Sequence, residues 1–327
     1  MPISRRTLLT TLAAAPLASM MSRPAFAAYP DHPVRLIVPF AAGGNADLVG
    51  RLMGEGISKV LSQPVVIENR TGAGGSLGAA AVATAAPDGY TLLTGSNGPL
   101  TVNPFVQAKL TYDPLKDFIA IGLANLAPHA IVLHNSVKVK NVAELVALSK
   151  EKQITLGTSG VGSASHLTLA RFNAATGAKL VHVPYRGGGA LIPDVLAGNV
   201  SGAMTEMSTL LEHHGQGKVR ILAVAWTKRS VRAPDVPTMI ESGVKNFTAA
   251  SYVGLLAPAK TPPDVVAALE KALIKTLAEK STQDKFIASG AELVPDDLQT
   301  SKGFTAYIQK DYEESKEAVK IAGLTPQ

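Results

Sequence analysis

Three glycine-rich segments of the sequence stand between an apolar run and a stretch with helical periodicity. They cover residues 40–47, 157–166 and 183–189. A helix that begins directly after a flexible turn presents unpaired backbone N–H groups and the positive end of its dipole. Both features favour an anion, so these segments predict a binding site for a ligand that carries a carboxylate group.

The first segment provides seven candidate ligand-binding residues: Phe40, Ala41, Gly43, Gly44, Asn45, Ala46 and Asp47. Gly43 and Gly44 let the backbone approach a ligand closely and adopt positive φ angles. Asn45 or Asp47 could instead cap the following helix, so a plain strand-to-helix turn is the alternative. The spacing matches neither the dinucleotide-binding motif Gly-x-Gly-x-x-Gly nor a P-loop, which excludes the usual nucleotide-binding loops.

The second segment provides five candidates in which hydroxyl groups and glycines precede a helix: Thr158, Ser159, Gly160, Ser163 and His166. Their hydroxyls and backbone N–H groups predict a second position for a carboxylate. Ser163 is also a normal N-cap. For His166 the alternative is a structural role, in which a ring nitrogen bonds a nearby backbone group.

The third segment contains Tyr185 and Arg186, which follow a predicted strand. Arg186 is able to pair with a carboxylate through two hydrogen bonds, and its alternative is a surface position. Glu206 ends the next predicted strand. We expect an acid at this place to bind an amine, a hydroxyl or a protonated acid group of the ligand.

A different class of function is suggested by Gly74-Gly75-Ser76-Leu77-Gly78, which matches the nucleophile elbow of α/β-hydrolases. Asp194 and either His213 or His214 would complete a triad in the order of that class. The alternative is a structural glycine-rich turn, because the segment follows only the second strand. His213 and His214 are adjacent rather than at helical spacing, so we expect neither a metal site nor a cofactor.

Short apolar runs alternate with amphipathic stretches along the chain. The predicted strands cover residues 34–40, 64–68, 90–94, 130–133, 154–157, 180–184, 200–205, 219–225 and 252–257. The predicted helices cover residues 45–62, 76–86, 142–150, 163–176, 190–196, 264–280 and 301–322. This alternation predicts an α/β fold whose mixed, mostly parallel sheets are covered by helices on both faces. Two such units facing each other would form a ligand cleft at the carboxyl ends of their strands.

Residues 1–27 have the pattern of a signal peptide, with Arg5 and Arg6 before a short apolar run and Ala25-Phe26-Ala27 at the end. The run is too short to span a membrane. The two arginines fit either twin-arginine or Sec export, and we expect cleavage near Ala27. The predicted location of the mature protein is therefore the periplasm.

The composition excludes several classes of protein. The chain has no cysteine, which rules out disulfides and thiolate nucleophiles. Its net charge is +6, and without the predicted signal peptide 28 basic residues face 25 acidic ones. This small excess, without a basic stripe that includes aromatic residues, gives no indication of nucleic-acid binding.

A family resemblance is carried by segments that follow one another over nearly the whole mature chain. The matching segments are Pro33-Val34-Arg35-Leu36-Ile37-Val38-Pro39-Phe40, Gln63-Pro64-Val65-Val66-Ile67-Glu68-Asn69-Arg70, Pro87-Asp88-Gly89-Tyr90-Thr91, His182-Val183-Pro184-Tyr185-Arg186-Gly187 and Pro234-Asp235-Val236-Pro237-Thr238. On these segments the chain resembles the Bug-type extracytoplasmic solute receptors, the substrate-binding component of tripartite tricarboxylate transporters.

The resemblance implies a periplasmic-binding-protein-like fold of type II, with no catalysis and no cofactor. Domain 1 would comprise residues 28–127 and 252–327, and domain 2 would comprise residues 128–251. The strands that cross between the domains would act as a hinge. A ligand carboxylate would lie on the loop at residues 40–47, opposite residues 157–165, and Ser96 and Asn97 would line the cleft. The implied partners of a monomeric receptor are a small organic acid, membrane permease subunits and, as a second client, a sensor kinase.

The chain departs from the family pattern at three places. Ala46 stands where threonine is common, Glu206-Met207 where an Asp-Asn pair is frequent, and Tyr252 where tryptophan is frequent. A longer acid followed by an apolar residue reshapes the distal pocket. Dicarboxylates, amino acids, aromatic acids and tricarboxylates therefore all remain candidate ligands.

Overall fold

The structure of the protein is a computed structural model that describes residues 29–326. The predicted signal peptide and its cleavage site lie outside the described residues. None of the helices between residues 29 and 326 combines the length and the apolar character needed to span a lipid bilayer.

Strands and helices alternate in the described part of the chain, as the sequence predicts. The strands are β1 (Val34–Val38), β2 (Val65–Asn69), β3 (Thr91–Ser96), β4 (Phe118–His134), β5 (Ile154–Thr158), β6 (Leu180–Pro184), β7 (Gly202–Glu206), β8 (Val219–Val224) and β9 (Ala250–Pro258). The helices are α1 (Asn45–Leu61), α2 (Ser76–Ala83), α3 (Asn103–Val106), α4 (Val142–Glu151), α5 (Ala164–Thr176), α6 (Gly188–Ala197), α7 (Met207–Gly215), α8 (Pro263–Ala278), α9 (Lys280–Ser289) and α10 (Ser301–Ile321).

The first half of the molecule is a sheet with the strand order β2-β1-β3-β9-β4. β1 pairs parallel with β2 and β3, because α1 and α2 return the chain to the same end of the sheet after each strand. β9 inserts antiparallel between β3 and β4. The second half has β5 between β6 and β7 in parallel, and β4 pairs antiparallel with β7 and β8.

β4 belongs to both halves. Its first part, residues 118–128, pairs with β9, and residues 129–134 pair with β7 and β8. β4 takes the chain from the first half to the second, and β9 takes it back. These two strands are therefore the connection on which the position of one half relative to the other depends.

The parallel strands are apolar on both faces, because helices cover both sides of each sheet. In β1, Val34, Leu36 and Val38 pack into a core with α1 and α8. Ile37 points the opposite way, into a core with α2 and α10. The second half repeats this arrangement with its own two cores.

The α/β class is confirmed, but the sheets are less parallel than the alternation predicts. In the described residues four strand pairs are parallel and four antiparallel. Every antiparallel pair includes β4 or β9. The prediction was wrong on this point because crossing between the halves reverses the direction of the chain, which local periodicity does not record.

The length of β4 and three helices were also missed. Only residues 130–133 were predicted as a strand, since Gly122, Asn125 and Pro128 interrupt the apolar run. The structure accommodates the first two of these residues with register shifts opposite β9. The helices α3, α7 and α9 were not predicted, whereas the predicted helix 264–280 corresponds to α8, which α9 follows after Glu279.

Candidate functional site

A cavity lies between the two halves, where strands end and helices begin. It encloses about 370 Å³ not occupied by protein atoms, part of which opens to solvent. The lining residues are Phe40, Gly44, Asn45, Ala46, Ser96, Ser159, Ser163, Ala164, Gly188, Glu206, Ser251 and Val253.

The loop before α1 contributes Phe40, Gly44, Asn45 and Ala46 to this lining. α1 begins after Gly44, and no side chain caps it. The N–H groups of its first turn therefore lack a partner within the helix and are available to a ligand. This is the arrangement that the first glycine-rich segment predicts.

Asp47 lies beside the cavity but does not line it, and instead holds the loop in place. Its carboxylate accepts hydrogen bonds from the Gly43 N–H at 3.0 Å, from Arg51 Nε at 2.9 Å and from Asn69 Nδ2 at 2.9 Å. Burial opposes ionisation, but the hydrogen bonds from Arg51 and Gly43 outweigh it and hold the pKa of Asp47 below its ordinary value. The carboxylate thus fixes Gly43, whose φ is +86°, and orients the first turn of α1.

The loop before α5 forms the facing wall through Ser159, Ser163 and Ala164. The Ser163 hydroxyl caps α5 by accepting a hydrogen bond from the His166 N–H at 3.2 Å. Thr158 lies behind this wall and pairs with His182 Nε2 at 2.7 Å. Of the residues predicted in this segment, the structure places Ser159 and Ser163 on the cavity and Thr158 in the layer beneath it.

His166 also lies beneath the cavity surface. Its Nδ1 accepts a hydrogen bond from the Gly162 N–H at 3.2 Å, and its ring stacks on His182 with the ring centres 4.0 Å apart. Burial lowers the pKa of His166. These contacts correspond to the structural alternative that the sequence left open for this residue.

The third glycine-rich segment brings the two halves into contact. The Ala41 N–H donates to the Arg186 carbonyl oxygen at 2.9 Å, and Gly188 lines the cavity at the start of α6. A Cβ atom on Gly44 would lie 3.0 Å from the Gly189 nitrogen, so the two loops touch backbone to backbone. The glycines at this contact are required by the close approach of the loops.

Tyr185 and Arg186 line a neighbouring hollow together with Gly160, and not the main cavity. The Tyr185 hydroxyl donates to Asp194 at 2.7 Å, and burial raises the pKa of Tyr185 to about 12. The Arg186 side chain is exposed. The hollow shares Phe40 and Ser159 with the main cavity, so the two spaces are adjacent.

Ser96 lines the main cavity, whereas Asn97 points to the other side of the crossing strands. The Asn97 Oδ1 accepts a hydrogen bond from the Tyr252 N–H at 2.9 Å, and its amide faces Asp311 at 3.5 Å. Asn97 thus ties β3 to β9. It lines a second hollow that also includes Arg171 and Asp311.

Four lining residues were missed from the sequence: Ala164, Gly188, Ser251 and Val253. Ser251 and Val253 belong to β9 and point to one face of the sheet, as residues two apart in a strand do. A predicted strand that begins at residue 250 rather than 252 would have placed Ser251 and Val253 on the same face of one strand. Ala164 and Gly188 are each the first residue of a helix, and a helix start after a glycine-rich turn is the sequence signal that indicates both.

The cavity is surrounded by helix N-termini. α1, α5 and α6 begin at lining residues, and α7 begins directly after Glu206. Among the lining residues that the structure describes, Glu206 alone has an ionisable side chain. Because helix N-termini attract anions without a side-chain cation, this arrangement is able to hold a carboxylate with neutral donors alone.

The hydrolase alternative is wrong. The Ser76 hydroxyl donates to Gln107 Oε1 at 3.0 Å and accepts from Asn103 Nδ2 at 2.7 Å. Asp194, the candidate acid, is bonded to Tyr185 and Asn199. Within residues 29–326, Ser76 has no histidine partner, and no group of three or more side chains is arranged to hold a metal ion.

Comparison with known proteins identifies the family. The sequence profile described as "Tripartite tricarboxylate transporter family receptor" matches residues 49–324. Protein BugT of Bordetella pertussis is 34% identical over 281 residues, which cover 85% of this chain and 86% of that protein.

Two solved structures are similar over almost their full length. The periplasmic binding protein BugD has a TM-score of 0.88 and 34% identity, and the match covers 91% of this chain and all of that one. MatC from Rhodopseudomonas palustris with bound malate has a TM-score of 0.86 and 29% identity, and the match covers 89% and 100% of the two chains. The chain therefore belongs to the receptor family of the tripartite tricarboxylate transporters, whose members bind solutes and are not enzymes.

Proposed function

We propose that the protein captures a small organic carboxylate in the cavity between its two halves. The observation that carries this proposal is the convergence of four helix N-termini on a cavity whose lining contains no basic side chain. Such a site binds a carboxylate through backbone N–H groups and serine hydroxyls. The bound malate of the related MatC supports a ligand of this class.

The predicted residues divide into two groups in this proposal. Those that line the cavity would contact the ligand: Phe40, Gly44, Asn45, Ala46, Ser96, Ser159, Ser163 and Glu206. Asp47, Asn97, Thr158 and His166 would position the loops from behind, since their side chains bond other parts of the protein. Arg186 would act through its carbonyl oxygen, which bonds Ala41 across the cleft.

Capture would involve closure of two domains. We assign residues 28–127 and 252–327 to domain 1 and residues 128–251 to domain 2, with β4 and β9 as the hinge. The hydrogen bond between Ala41 and Arg186 joins the two assigned domains at the mouth of the cavity. A ligand that touches both walls would stabilise the closed state by its higher affinity for it.

The receptor would act in the periplasm after removal of residues 1–27 and would transfer its ligand to the permease subunits of a tripartite transporter. A sensor kinase is the alternative client. A monomer suffices for this role, because both walls of the cavity come from one chain.

The proposal is tested by calorimetry of the mature chain, residues 28–327, against a panel of carboxylates. The panel comprises dicarboxylates, hydroxy acids, amino acids, aromatic acids and citrate. We expect saturable binding of at least one of them, with one ligand per chain and the ligand recovered chemically unchanged. If no member of the panel binds or shifts the thermal unfolding of the protein, the proposal is wrong.

A further inference from the structure

Glu206 places a buried carboxylate on the surface of the cavity. One of its oxygens, Oε1, accepts a hydrogen bond from the Ser251 hydroxyl at 2.6 Å. The other, Oε2, accepts one from the Thr205 hydroxyl at 3.0 Å. Only 8% of the residue is exposed. Both protein partners of this carboxylate are therefore neutral donors.

A buried histidine stands behind Ser251 and completes a chain of hydrogen bonds. His129 Nε2 lies 2.9 Å from the Ser251 hydroxyl, and His129 Nδ1 lies 2.7 Å from the Thr168 hydroxyl. Ser251 has one proton, which it gives to Glu206. In this arrangement the N–H of the ring lies on Nε2, where it donates to Ser251. The Thr168 hydroxyl lies within hydrogen-bond distance of both His129 Nδ1 and the Ala164 carbonyl oxygen, to which it donates at 3.0 Å.

This chain of hydrogen bonds directs donor groups toward Glu206 but places no positive charge beside it. Burial lowers the pKa of His129 to about 4, against the attraction of Glu206, so the ring is neutral at physiological pH. The nearest distance between His129 Nε2 and the carboxylate is 3.9 Å. The described residues that line the cavity include no lysine, arginine or histidine. The charge of Glu206 therefore has no cationic partner among residues 29–326.

A ligand must compensate this charge if it is to bind next to it. A second carboxylate beside Glu206 would be repelled, since like charges at close range in a partly dry site interact strongly. A hydroxyl group would donate a hydrogen bond but leave the charge unpaired. An ammonium group would supply both the donor and the opposite charge, and a buried charge is stable when it is paired and hydrogen-bonded.

We propose that the ligand carries an ammonium group as well as a carboxylate, and that Glu206 is the residue that selects it. The ligand carboxylate would occupy the helix N-termini, and its ammonium would donate to Glu206. This inference rests on the proposed function and narrows it, from carboxylates in general to amino carboxylates.

The test uses two series of ligands that share a skeleton and differ only at one carbon. In the first series, C2 carries hydrogen in succinate, hydroxyl in malate and ammonium in aspartate. In the second series, C2 carries the same three groups in propionate, lactate and alanine, respectively. We expect calorimetry at pH 7.5 to show at least tenfold tighter binding of the ammonium member in whichever series binds. The E206Q variant should reduce this preference to threefold or less, because glutamine keeps the shape and loses the charge.

E212Q is the matched control, since Glu212 is an exposed acid on α7, the helix that follows Glu206. It should retain the full preference. If the unsubstituted acid binds the native protein as tightly as its amino counterpart, Glu206 does not select an ammonium group, whereas carboxylate capture stands. If E206Q unfolds, the affinities of the native protein for the unsubstituted acid and its amino counterpart still test whether an ammonium group is preferred. If no carboxylate binds, both proposals fail together.

Discussion

Asp311 is an ionisable residue outside the cavity whose environment changes its protonation. It lies on α10 and accepts hydrogen bonds from the Thr101 hydroxyl and, more weakly, from Asn97. Burial raises the pKa of Asp311 to about 6, although the Thr101 hydrogen bond favours the charged form. The ordinary value is 3.8. The folded protein therefore retains this proton over a pH range in which the unfolded chain releases it.

We expect Asp311→Asn to change the pH dependence of stability. A raised pKa in the folded state costs stability progressively between about pH 4 and pH 6, and the whole cost remains above pH 6. The variant removes this cost, so its free energy of unfolding relative to the native protein should rise by about 2 kcal/mol between pH 4.5 and pH 7.5. Urea denaturation at the two pH values measures the difference.

Glu317→Gln serves as the control for this experiment, because Glu317 is an exposed acid on the same helix. Its stability relative to the native protein should be the same at both pH values. A difference between Asp311→Asn and the native protein that stays constant from pH 4.5 to pH 7.5 would contradict the assigned cause.

At the scale of the element, the helices at the cavity differ in how their first turns are satisfied. α1, α6 and α7 have no side-chain cap, so their first N–H groups are free to meet a ligand. α5 is capped by Ser163, which also lines the cavity. α4 and α10 begin elsewhere and are capped by Asn141 and Thr300. Ser163 therefore both caps a helix and lines the cavity, whereas Asn141 and Thr300 only cap their helices.

The two roles of Ser163 are separated by comparing Ser163→Ala with Thr300→Ala. Each change removes the oxygen that accepts from the first turn of its helix, at 3.2 Å in α5 and 3.0 Å in α10. Both should lower the free energy of unfolding by about 1 kcal/mol. Only Ser163→Ala should also weaken ligand binding, by about fivefold for one lost hydrogen bond. Calorimetry and urea denaturation of both variants provide the two readings, and equal affinities would exclude Ser163 as a ligand contact.

At the scale of the whole molecule, the two halves meet at backbone surfaces that only glycine permits. A Cβ atom on Gly189 would overlap the carbonyl oxygen of Ala42 and approach the Gly44 nitrogen to 3.0 Å. Gly189 follows a strand of one half, while Ala42 and Gly44 follow a strand of the other. The arrangement of the halves, and with it the cavity, depends on this contact and on the crossing strands β4 and β9.

We expect Gly189→Ala to prevent full closure without preventing folding. Alanine is favourable within a helix, so α6 should form normally. The methyl group should hold the two loops apart and weaken ligand binding at least tenfold, because the competent state becomes a minor one. Small-angle X-ray scattering at saturating ligand should give a larger radius of gyration than for the native protein.

Gly215→Ala is the matched control, since a Cβ atom at Gly215 would have no atom within 4 Å. It should bind ligand and close as the native protein does. If Gly189→Ala retains native affinity and reaches the native radius of gyration with ligand, closure does not depend on the contact between the loops.

The sequence by itself determined the features that local chemistry encodes. The first three strands with α1 and α2, the glycine-rich turns and the Ser163 cap all follow from periodicity and from turn and capping preferences within a few residues. Seven of the twelve lining residues were predicted from such local features, and Ser96 was implied by the family resemblance. The family resemblance also comes from local sequence, because the matching segments are continuous.

Only the tertiary structure decided which of these local features meet. It extended β4 through Gly122 and Pro128, reversed the chain at both crossings and so brought Ser251 beside Glu206. It also directed the side chains of Asp47 and Asn97 to structural partners far along the chain. Such contacts join residues up to 214 positions apart. Their geometry comes from the packing of whole sheets and helices, which the pattern of a short segment does not contain.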